Sequence, residues 1–177
     1  MRNLVGAAAS LQFTDTIRAA LGRGGIEPEI CRAEKDSNSI QELRWPGRLL
    51  VFNKMHPLVR KNIDAIFLNT EELAHNIAAK QVLNDLGRYL ACGELKGGID
   101  PAGADEHWKT ANSALERIRT QFNDMDMKPS LFFCGAAIAD AMGKEIFEQL
   151  KDGRLSYAAN LTVPQQVDDL ATWLVTL

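Results

Sequence analysis

The chain has 177 residues, of which 46% are hydrophobic and 24% are charged. This length and composition predict one folded domain with its own core and argue against intrinsic disorder. The formal net charge of −3 does not indicate a nucleic-acid binder, although a local basic patch would not show in this sum. No apolar run approaches the roughly 20 residues that a membrane-spanning helix needs, so we expect a cytoplasmic protein with no membrane partner.

The three cysteines, Cys31, Cys92 and Cys134, are odd in number, and no two of them have CxxC spacing. This pattern argues against both a disulfide framework and a zinc knuckle. We expect reduced thiols, as in most cytosolic proteins.

The first predicted element is a helix over residues 13–25. Thr14 or Asp15 can cap its amino end, and a run of glycines ends it. Two short runs rich in strand-forming residues follow, RLLVFN at 48–53 and NIDAIFLN at 62–69. Both faces of the second run are largely apolar, which is typical of a buried strand.

The middle of the chain predicts a helix, a strand and a second helix. Apolar residues spaced at helical intervals after Glu71 indicate a helix that ends near Gly87. The stretch YLACGELKGG at 89–98 reads as a strand. Residues 105–122 carry one apolar stripe, which includes Trp108 as a core residue, and Asp105 is the expected N-cap.

The last third predicts a buried strand at 130–138 and an amphipathic helix that ends at Gly153. A final helix opens at Pro164, since proline is favoured in the first turn. Asp100 is expected to set a turn before Pro101. The order of elements predicts an α/β fold, with a central mixed β-sheet flanked by helices.

Alternation along the strand at 89–98 places Glu94 and Lys96 on one face. Asp64 is an acid among buried neighbours of an earlier strand, and a buried carboxylate is costly unless it is paired or binds a metal. If the two strands are adjacent, Asp64 and Glu94 meet at one spot. Two carboxylates with water suit Mg²⁺, and a nearby lysine can position a nucleophilic water and offset phosphate charge.

Asp followed by Glu-x-Lys is the PD-(D/E)xK nuclease pattern, which by itself also arises by chance on a surface strand pair. The longer string GELKGGIDPAGADEHWKTANSAL, residues 93–115, resembles the active-site stretch of the AvaI and BsoBI type II restriction endonucleases. Residues 136–177 are similar to the carboxyl-terminal part of that family. With NIDAIFLN included, the resemblance covers roughly residues 45–177.

The resemblance implies a restriction-endonuclease-like core and a role for each matching residue. Asp64 and Glu94 resemble the family's metal ligands, with the Leu95 carbonyl as a further ligand, and Lys96 resembles the catalytic lysine. His107 matches a histidine near the scissile phosphate, where it is a candidate general base. On its residues alone, the favoured interpretation of His107 is a polar side chain in the first turn of a helix, with no chemical role.

The family members are longer and carry an additional amino-terminal, largely helical portion. From the length of the chain, we expect residues 1–177 to form a single nuclease domain. Residues 1–44 are then either a remnant of that portion or a replacement for it.

A basic segment that contains no acid precedes the candidate aspartate and supplies candidate DNA-binding residues. These, together with one helical lysine, are Arg44, Arg48, Lys54, Arg60, Lys61 and Lys109. A solvated surface is the alternative interpretation of the same charges. Arg117 and Arg119 fit a phosphate-binding surface and a solvated helix face equally well.

The resemblance implies a Mg²⁺-dependent type II restriction endonuclease, with Mn²⁺ as a substitute metal. Its partners would be double-stranded DNA, cut at a specific palindromic site to leave 5′-phosphate ends, and a second copy in a homodimer. Two alternatives stay open: a repair or recombination nuclease with the same core, and a truncated fragment that binds DNA without cutting it.

Overall fold

A computed structural model of the protein describes residues 2–34, 36–99 and 101–177, with the side chains of residues 2–7, 36–38 and 101–102 left out of the description. Asp100, the predicted turn residue, lies outside the described residues. The described part forms one mixed sheet with helices on both faces. In chain order the elements are α1 (Arg2–Arg23), β1 (Glu29–Ala33), β2 (Asp36–Trp45), β3 (Arg48–Met55), β4 (Asn62–Asn69), α2 (Ala79–Leu83), β5 (Tyr89–Lys96), α3 (Pro101–Asn123), β6 (Ser130–Gly135), α4 (Asp140–Lys151), β7 (Tyr157–Asn160) and α5 (Pro164–Val175).

The described strands form a seven-stranded sheet in the order β1-β2-β3-β4-β5-β6-β7. Pairs from β1 to β5 are antiparallel, whereas β5, β6 and β7 run parallel. The parallel pairs need crossover connections, which α3 and α4 provide. This arrangement confirms the predicted α/β fold and is consistent with a restriction-endonuclease-like core.

A separate hydrophobic core covers each face of the sheet. On one face α1 and α5 pack together, and Phe13 of α1 stacks on Phe132 of β6. On the other face α2, α3 and α4 pack around Trp108 and Phe133. The burial of Trp108, with 1% of its surface exposed, confirms its predicted place in the core.

Residues 1–44, predicted to be a remnant or a replacement, contribute α1, β1 and most of β2 to this architecture. The predicted helix at 13–25 begins eleven residues earlier, at Arg2. The predicted capping role of Thr14 and Asp15 is therefore wrong, since both lie inside α1. Thr14 is fully buried there. Among the described residues, no helix combines the length and apolar character needed to cross a membrane.

The predicted helix between Glu71 and Gly87 is wrong over most of its length. Only the five residues of α2 and a short 3-10 turn at Leu86–Arg88 are helical. Local interactions compete with the helix at its start, because the Asn69 side chain accepts a hydrogen bond from the Glu71 backbone and Glu72 has a φ of 66°. Most of the intervening residues are exposed, so little apolar burial stabilises a longer helix.

The helix predicted at 105–122 begins at Pro101 instead. Proline fits the first helical position because its missing N–H would have no partner there. Asp105 is therefore not the N-cap and instead pairs with Lys109 one turn later, at 2.5 Å. The strand at 62–69 has the predicted bounds, and the cysteines are free thiols as expected.

Candidate active site

Two acidic residues meet where β4 and β5 run side by side. The two strands are antiparallel, with Ala65 opposite Gly93. Continuing this register by one residue places Asp64 opposite Glu94. The Leu95 backbone N–H donates to Asp64 Oδ2 at 2.9 Å, which fixes the aspartate carboxylate against β5. The predicted adjacency of Asp64 and Glu94 is therefore present in the fold.

Lys96 joins the two acids into one charged cluster, the acid–lysine cluster of Asp64, Glu94 and Lys96. Its Nζ lies 2.6 Å from Asp64 Oδ2 and 2.6 Å from Glu94 Oε2. Glu94 and Lys96 are two apart in β5, so strand alternation turns both toward the same side of the sheet. The intervening Leu95 side chain is buried in the core of the opposite face.

Burial makes Glu94 the unusual member of the acid–lysine cluster. Its side chain is 5% exposed, against 30% for Asp64 and 19% for Lys96. Burial and the neighbouring Asp64 carboxylate together raise the pKa of Glu94 to about 7, although Lys96 opposes the shift. Burial also lowers the pKa of Lys96, but the two carboxylates outweigh it, so the lysine stays charged.

The donor set of this cluster fits a hard divalent cation. Glu94 Oε1 is buried and has no hydrogen-bond partner, so a carboxylate oxygen is left uncompensated at this spot. Together with Asp64 it offers the hard oxygen ligands that Mg²⁺ prefers. The described residues contain no group of three or more acidic, histidine or cysteine side chains that could hold a metal ion together, so a cation here would keep waters or backbone ligands. The Leu95 carbonyl is the predicted backbone ligand.

An open cleft of about 510 Å³ surrounds the acid–lysine cluster. One wall is the start of β4 with the end of β5. The other wall is the exposed face of α3. The residues that line the cleft are Lys61, Asn62, Asp64, Glu94, Lys96, Lys109, Thr110, Ser113, Ala114 and Arg117. Cations thus stand on both walls around two carboxylates, although the whole chain carries a net charge of −3.

Two polar bridges to α4 fix which face of α3 points into the cleft. Trp108 Nε1 donates to the Glu145 carboxylate, and the buried Gln149 donates to Asn112 Oδ1 at 2.9 Å. Each helix contributes residues four apart, so the two bridges lie one turn from each other. They hold the apolar stripe of α3 against the sheet. The side of α3 that carries Lys109, Ser113 and Arg117 then faces the cleft.

His107 lies against the glycines beside the cluster and is not among the residues that line the cleft. Its Nε2 would be 2.7 Å from a Cβ at Gly98 and 3.5 Å from one at Gly103. The imidazole therefore rests over the Gly98 backbone, two residues after Lys96. Its side chain is exposed, which leaves it free to approach a bound substrate.

The six candidate DNA-binding residues fall into two groups. Lys61 and Lys109 line the cleft. Arg44 pairs with Glu42, and Arg48 pairs with Glu71. Lys54 contacts Gln41, and Arg60 is exposed in the turn before β4. Only two of the six therefore line the cleft around the acid–lysine cluster.

Several cleft residues were not singled out from the sequence, among them Asn62, Thr110 and Ser113. The available signal was spacing, since positions 109, 113 and 117 recur every four residues and so share one side of a helix. That spacing does not say what the side faces. Only the packing of α3 against the sheet shows it.

Comparisons with known proteins identify the family of the chain. The family model described as restriction endonuclease BsobI matches residues 1–177. The type II restriction enzymes AvaI of Nostoc sp. and of Anabaena variabilis are each 42% identical over 193 aligned residues, which cover 100% of this chain and 60% of the relative. The type II restriction enzyme BsoBI of Geobacillus stearothermophilus is 39% identical over 196 residues, with the same coverage.

The chain thus spans about three fifths of the length of the curated relatives it matches. The matched part nevertheless includes every residue of the acid–lysine cluster and both walls of its cleft. On the whole-length match, the chain belongs to the BsobI restriction endonuclease family.

Proposed function

We propose that the protein is a type II restriction endonuclease that hydrolyses phosphodiester bonds of double-stranded DNA at a specific palindromic site. The observation that carries this proposal is the acid–lysine cluster, with its buried, unpartnered Glu94 Oε1, at the floor of a cleft with cationic walls. The family supports the reaction type, since its curated relatives are named type II restriction enzymes.

Asp64 and Glu94 would hold Mg²⁺, with the Leu95 carbonyl as a further ligand and Mn²⁺ as a substitute metal. The bound ion would supply electrostatic stabilisation of the charge that develops on the phosphoryl oxygens. Lys96 Nζ, now shared between the two carboxylates, would orient the attacking water and offset part of the same charge. Attack in line with the leaving 3′-oxygen would give a 5′-phosphate and a 3′-hydroxyl.

His107 is the proposed general base. The imidazole is exposed and held over Gly98, next to the strand that carries Lys96. A base must come within hydrogen-bond reach of the water it deprotonates, and an exposed side chain at a glycine turn has the freedom to do so when DNA fills the cleft. The predicted role is thus compatible with its position.

The proposed partners are DNA and a second copy of the chain. Lys61 and Lys109 on the two cleft walls would contact backbone phosphates, and Arg44, Arg48, Lys54 and Arg60 are further candidates outside the cleft. A palindromic site is two-fold symmetric, so a two-fold homodimer would cut both strands in equivalent positions. We place this activity in the bacterial cytoplasm, where its DNA substrate is accessible.

Digestion of a long duplex DNA of known sequence in Mg²⁺, followed by mapping of the ends, tests the proposal. Discrete fragments with 5′-phosphates are expected, and Glu94→Gln, which removes one ligand charge at nearly constant size, should produce none. A smear, or cutting confined to junctions, would favour a repair or recombination nuclease. Binding without any cleavage in Mg²⁺ or Mn²⁺ would contradict the enzyme and favour a non-cleaving fragment.

A further inference from the structure

Arg117 is distinguished from most other arginines of the protein by its lack of a partner. Seven arginines form ion pairs with carboxylates: Arg18, Arg23, Arg44, Arg48, Arg88, Arg119 and Arg154. Among the described residues, the Arg117 side chain has no hydrogen bond or ion pair. The Arg60 side chain also has none, but Arg60 lies outside the cleft. Among the described arginines, Arg117 is therefore the one whose side chain is both unpaired and on a cleft wall.

The sequence of α3 explains why Arg117 has no internal partner. Its neighbours on the helix surface, three and four residues away, are Ser113, Ala114, Thr120 and Gln121. None is acidic, whereas Lys109 on the same side has Asp105 four residues before it and pairs with it. An unpaired guanidinium keeps all five of its donors available for a ligand.

The ligand that fits this position is a phosphate. Arg117 carries a permanent positive charge, and its planar donors match phosphate oxygens in a bidentate manner. The small side chains of Ser113 and Ala114 line the same wall beside it, so the cleft is not closed off there. The facing wall adds Lys61.

The row formed by Lys109, Ser113 and Arg117 also has a length that suits a polynucleotide. Two helical turns separate Lys109 from Arg117, which is about 12 Å along α3. Each strand of duplex DNA has one phosphate for about every 3.4 Å of helix axis, so the row spans about three nucleotides. Its far end would contact a phosphate beside the one held at the acid–lysine cluster.

We infer that Arg117 is a phosphate anchor that positions the DNA backbone along the α3 wall, next to the bond that is cut. This inference deepens the proposed nuclease function and rests on it for the identity of the substrate. Arg117 would act on binding and register of the strand and would take no part in bond breaking.

Salt-dependent binding tests the anchor without requiring cleavage. The probe is a short fluorescein-labelled duplex DNA, titrated by anisotropy with Ca²⁺ in place of Mg²⁺ between about 50 and 200 mM salt. Arg117→Ala is expected to reduce the slope of log Kd against log salt by about 0.9, the value for one lost phosphate contact. Its affinity at low salt should fall by about tenfold, equivalent to about 1.4 kcal/mol.

Two variants make the measurement specific. Arg117→Lys keeps a charge that can reach a phosphate and should retain most of the slope. Lys128→Ala removes an exposed cation just before β6, at the end of the sheet opposite Lys96, and should leave both slope and affinity unchanged. A slope for Arg117→Ala equal to that of the parent protein, or no binding of duplex DNA by the parent, would overturn the inference.

The outcomes also separate this inference from the nuclease proposal. If the parent binds DNA with an Arg117-dependent slope but does not cut in Mg²⁺, the anchor stands and the nuclease proposal fails. If the parent cuts and Arg117→Ala keeps its slope and its KM, the anchor fails alone. A raised KM with a nearly constant kcat would support the positioning role.

Discussion

At the scale of single residues, the environment of the Glu94 carboxylate is electrostatically unfavourable unless a cation binds there. Its carboxylate is buried beside a second carboxylate, one oxygen lacks a hydrogen bond, and a single lysine compensates both acids. The pKa of Glu94 is raised to about 7, above its ordinary value of 4.5, primarily by burial. A cation that binds both carboxylates would offset this unfavourable electrostatic energy. Without it, the Glu94 carboxylate should lower the free energy of unfolding.

We predict that Glu94→Gln stabilises the metal-free protein at alkaline pH. Between pH 4.5 and about 7 the unfolded chain releases the Glu94 proton while the folded protein keeps it, so the parent loses stability as pH rises. Glutamine resembles the protonated form and does not titrate. In EDTA, urea unfolding should show a gain of about 3 kcal/mol for the variant at pH 8 and almost none at pH 4.

Mg²⁺ supplies the control for this prediction. Added Mg²⁺ should raise the stability of the parent at pH 8, because it binds the folded state, and should have a smaller effect on Glu94→Gln. A variant that is less stable than the parent at pH 8 in EDTA would contradict the assigned electrostatics.

The residues of the site differ in how far the sequence alone reveals them. Strand alternation was sufficient to bring Glu94 and Lys96 together, and the cost of burying Asp64 pointed to the third member. His107 needed the family resemblance, because a histidine near a helix start has no distinctive pattern. Arg117 was equally compatible with solvent and phosphate, since its lack of a partner and its place on the cleft wall depend on tertiary packing.

At the scale of elements, the connection from β5 to α3 links the metal ligands to the candidate base. β5 ends at Lys96, two glycines follow, and α3 starts at Pro101. The His107 imidazole rests over the second of these glycines. Position 98 must therefore lack a side chain for the imidazole to stay where it is.

We predict that Gly98→Ala lowers the cleavage rate while stability stays nearly unchanged. The new methyl would lie 2.7 Å from His107 Nε2, and the histidine side chain can rotate away at little cost in folding free energy. Misplacing a reacting group by about 1 Å can cost up to about 10²-fold in rate. His107→Ala sets the upper limit, about 10²- to 10⁴-fold if the imidazole is the base, and single-turnover kinetics measures both.

Gly103→Ala is the matched control for this turn. Its methyl would lie 3.5 Å from His107 Nε2, an ordinary contact, and alanine suits the first turns of a helix better than glycine. Its cleavage rate should equal that of the parent. Normal cleavage by both Gly98→Ala and His107→Ala would return His107 to a purely structural role.

The elements themselves were predictable where pattern and tertiary environment agree. The strand at 62–69 is apolar on both faces and is buried on both faces, so its bounds matched. The helix predicted after Glu71 does not form over most of its length, because most of its residues are exposed and bury little apolar surface. The strands β1, β2 and β7 were missed, since edge and near-edge strands such as β1, which has no fully buried residue, lack a strong apolar pattern.

At the scale of the whole molecule, the amino-terminal helix belongs to the same core as the strands of the active site. Phe13 is fully buried and stacks on Phe132, whose neighbour in the parallel register is Gly93 of β5. α1 also packs on α5 at the other end of the chain. These contacts tie the first and last elements to the sheet that carries Glu94, and they favour the predicted single domain.

We therefore predict that the protein unfolds in one cooperative transition. Phe13→Ala should lower the free energy of unfolding of the whole domain. The truncation leaves a cavity in a packed core, which typically costs about 3–5 kcal/mol. Urea unfolding should give coincident midpoints by far-UV circular dichroism and by tryptophan fluorescence. The fluorescence reports both faces of the sheet, because Trp45 lies in one core and Trp108 in the other. Asp15→Ala, on the exposed side of α1, should change stability by no more than about 0.5 kcal/mol. If Phe13→Ala instead separated the two signals into an early and a late transition, α1 would be a dispensable unit and the single-domain prediction would be wrong.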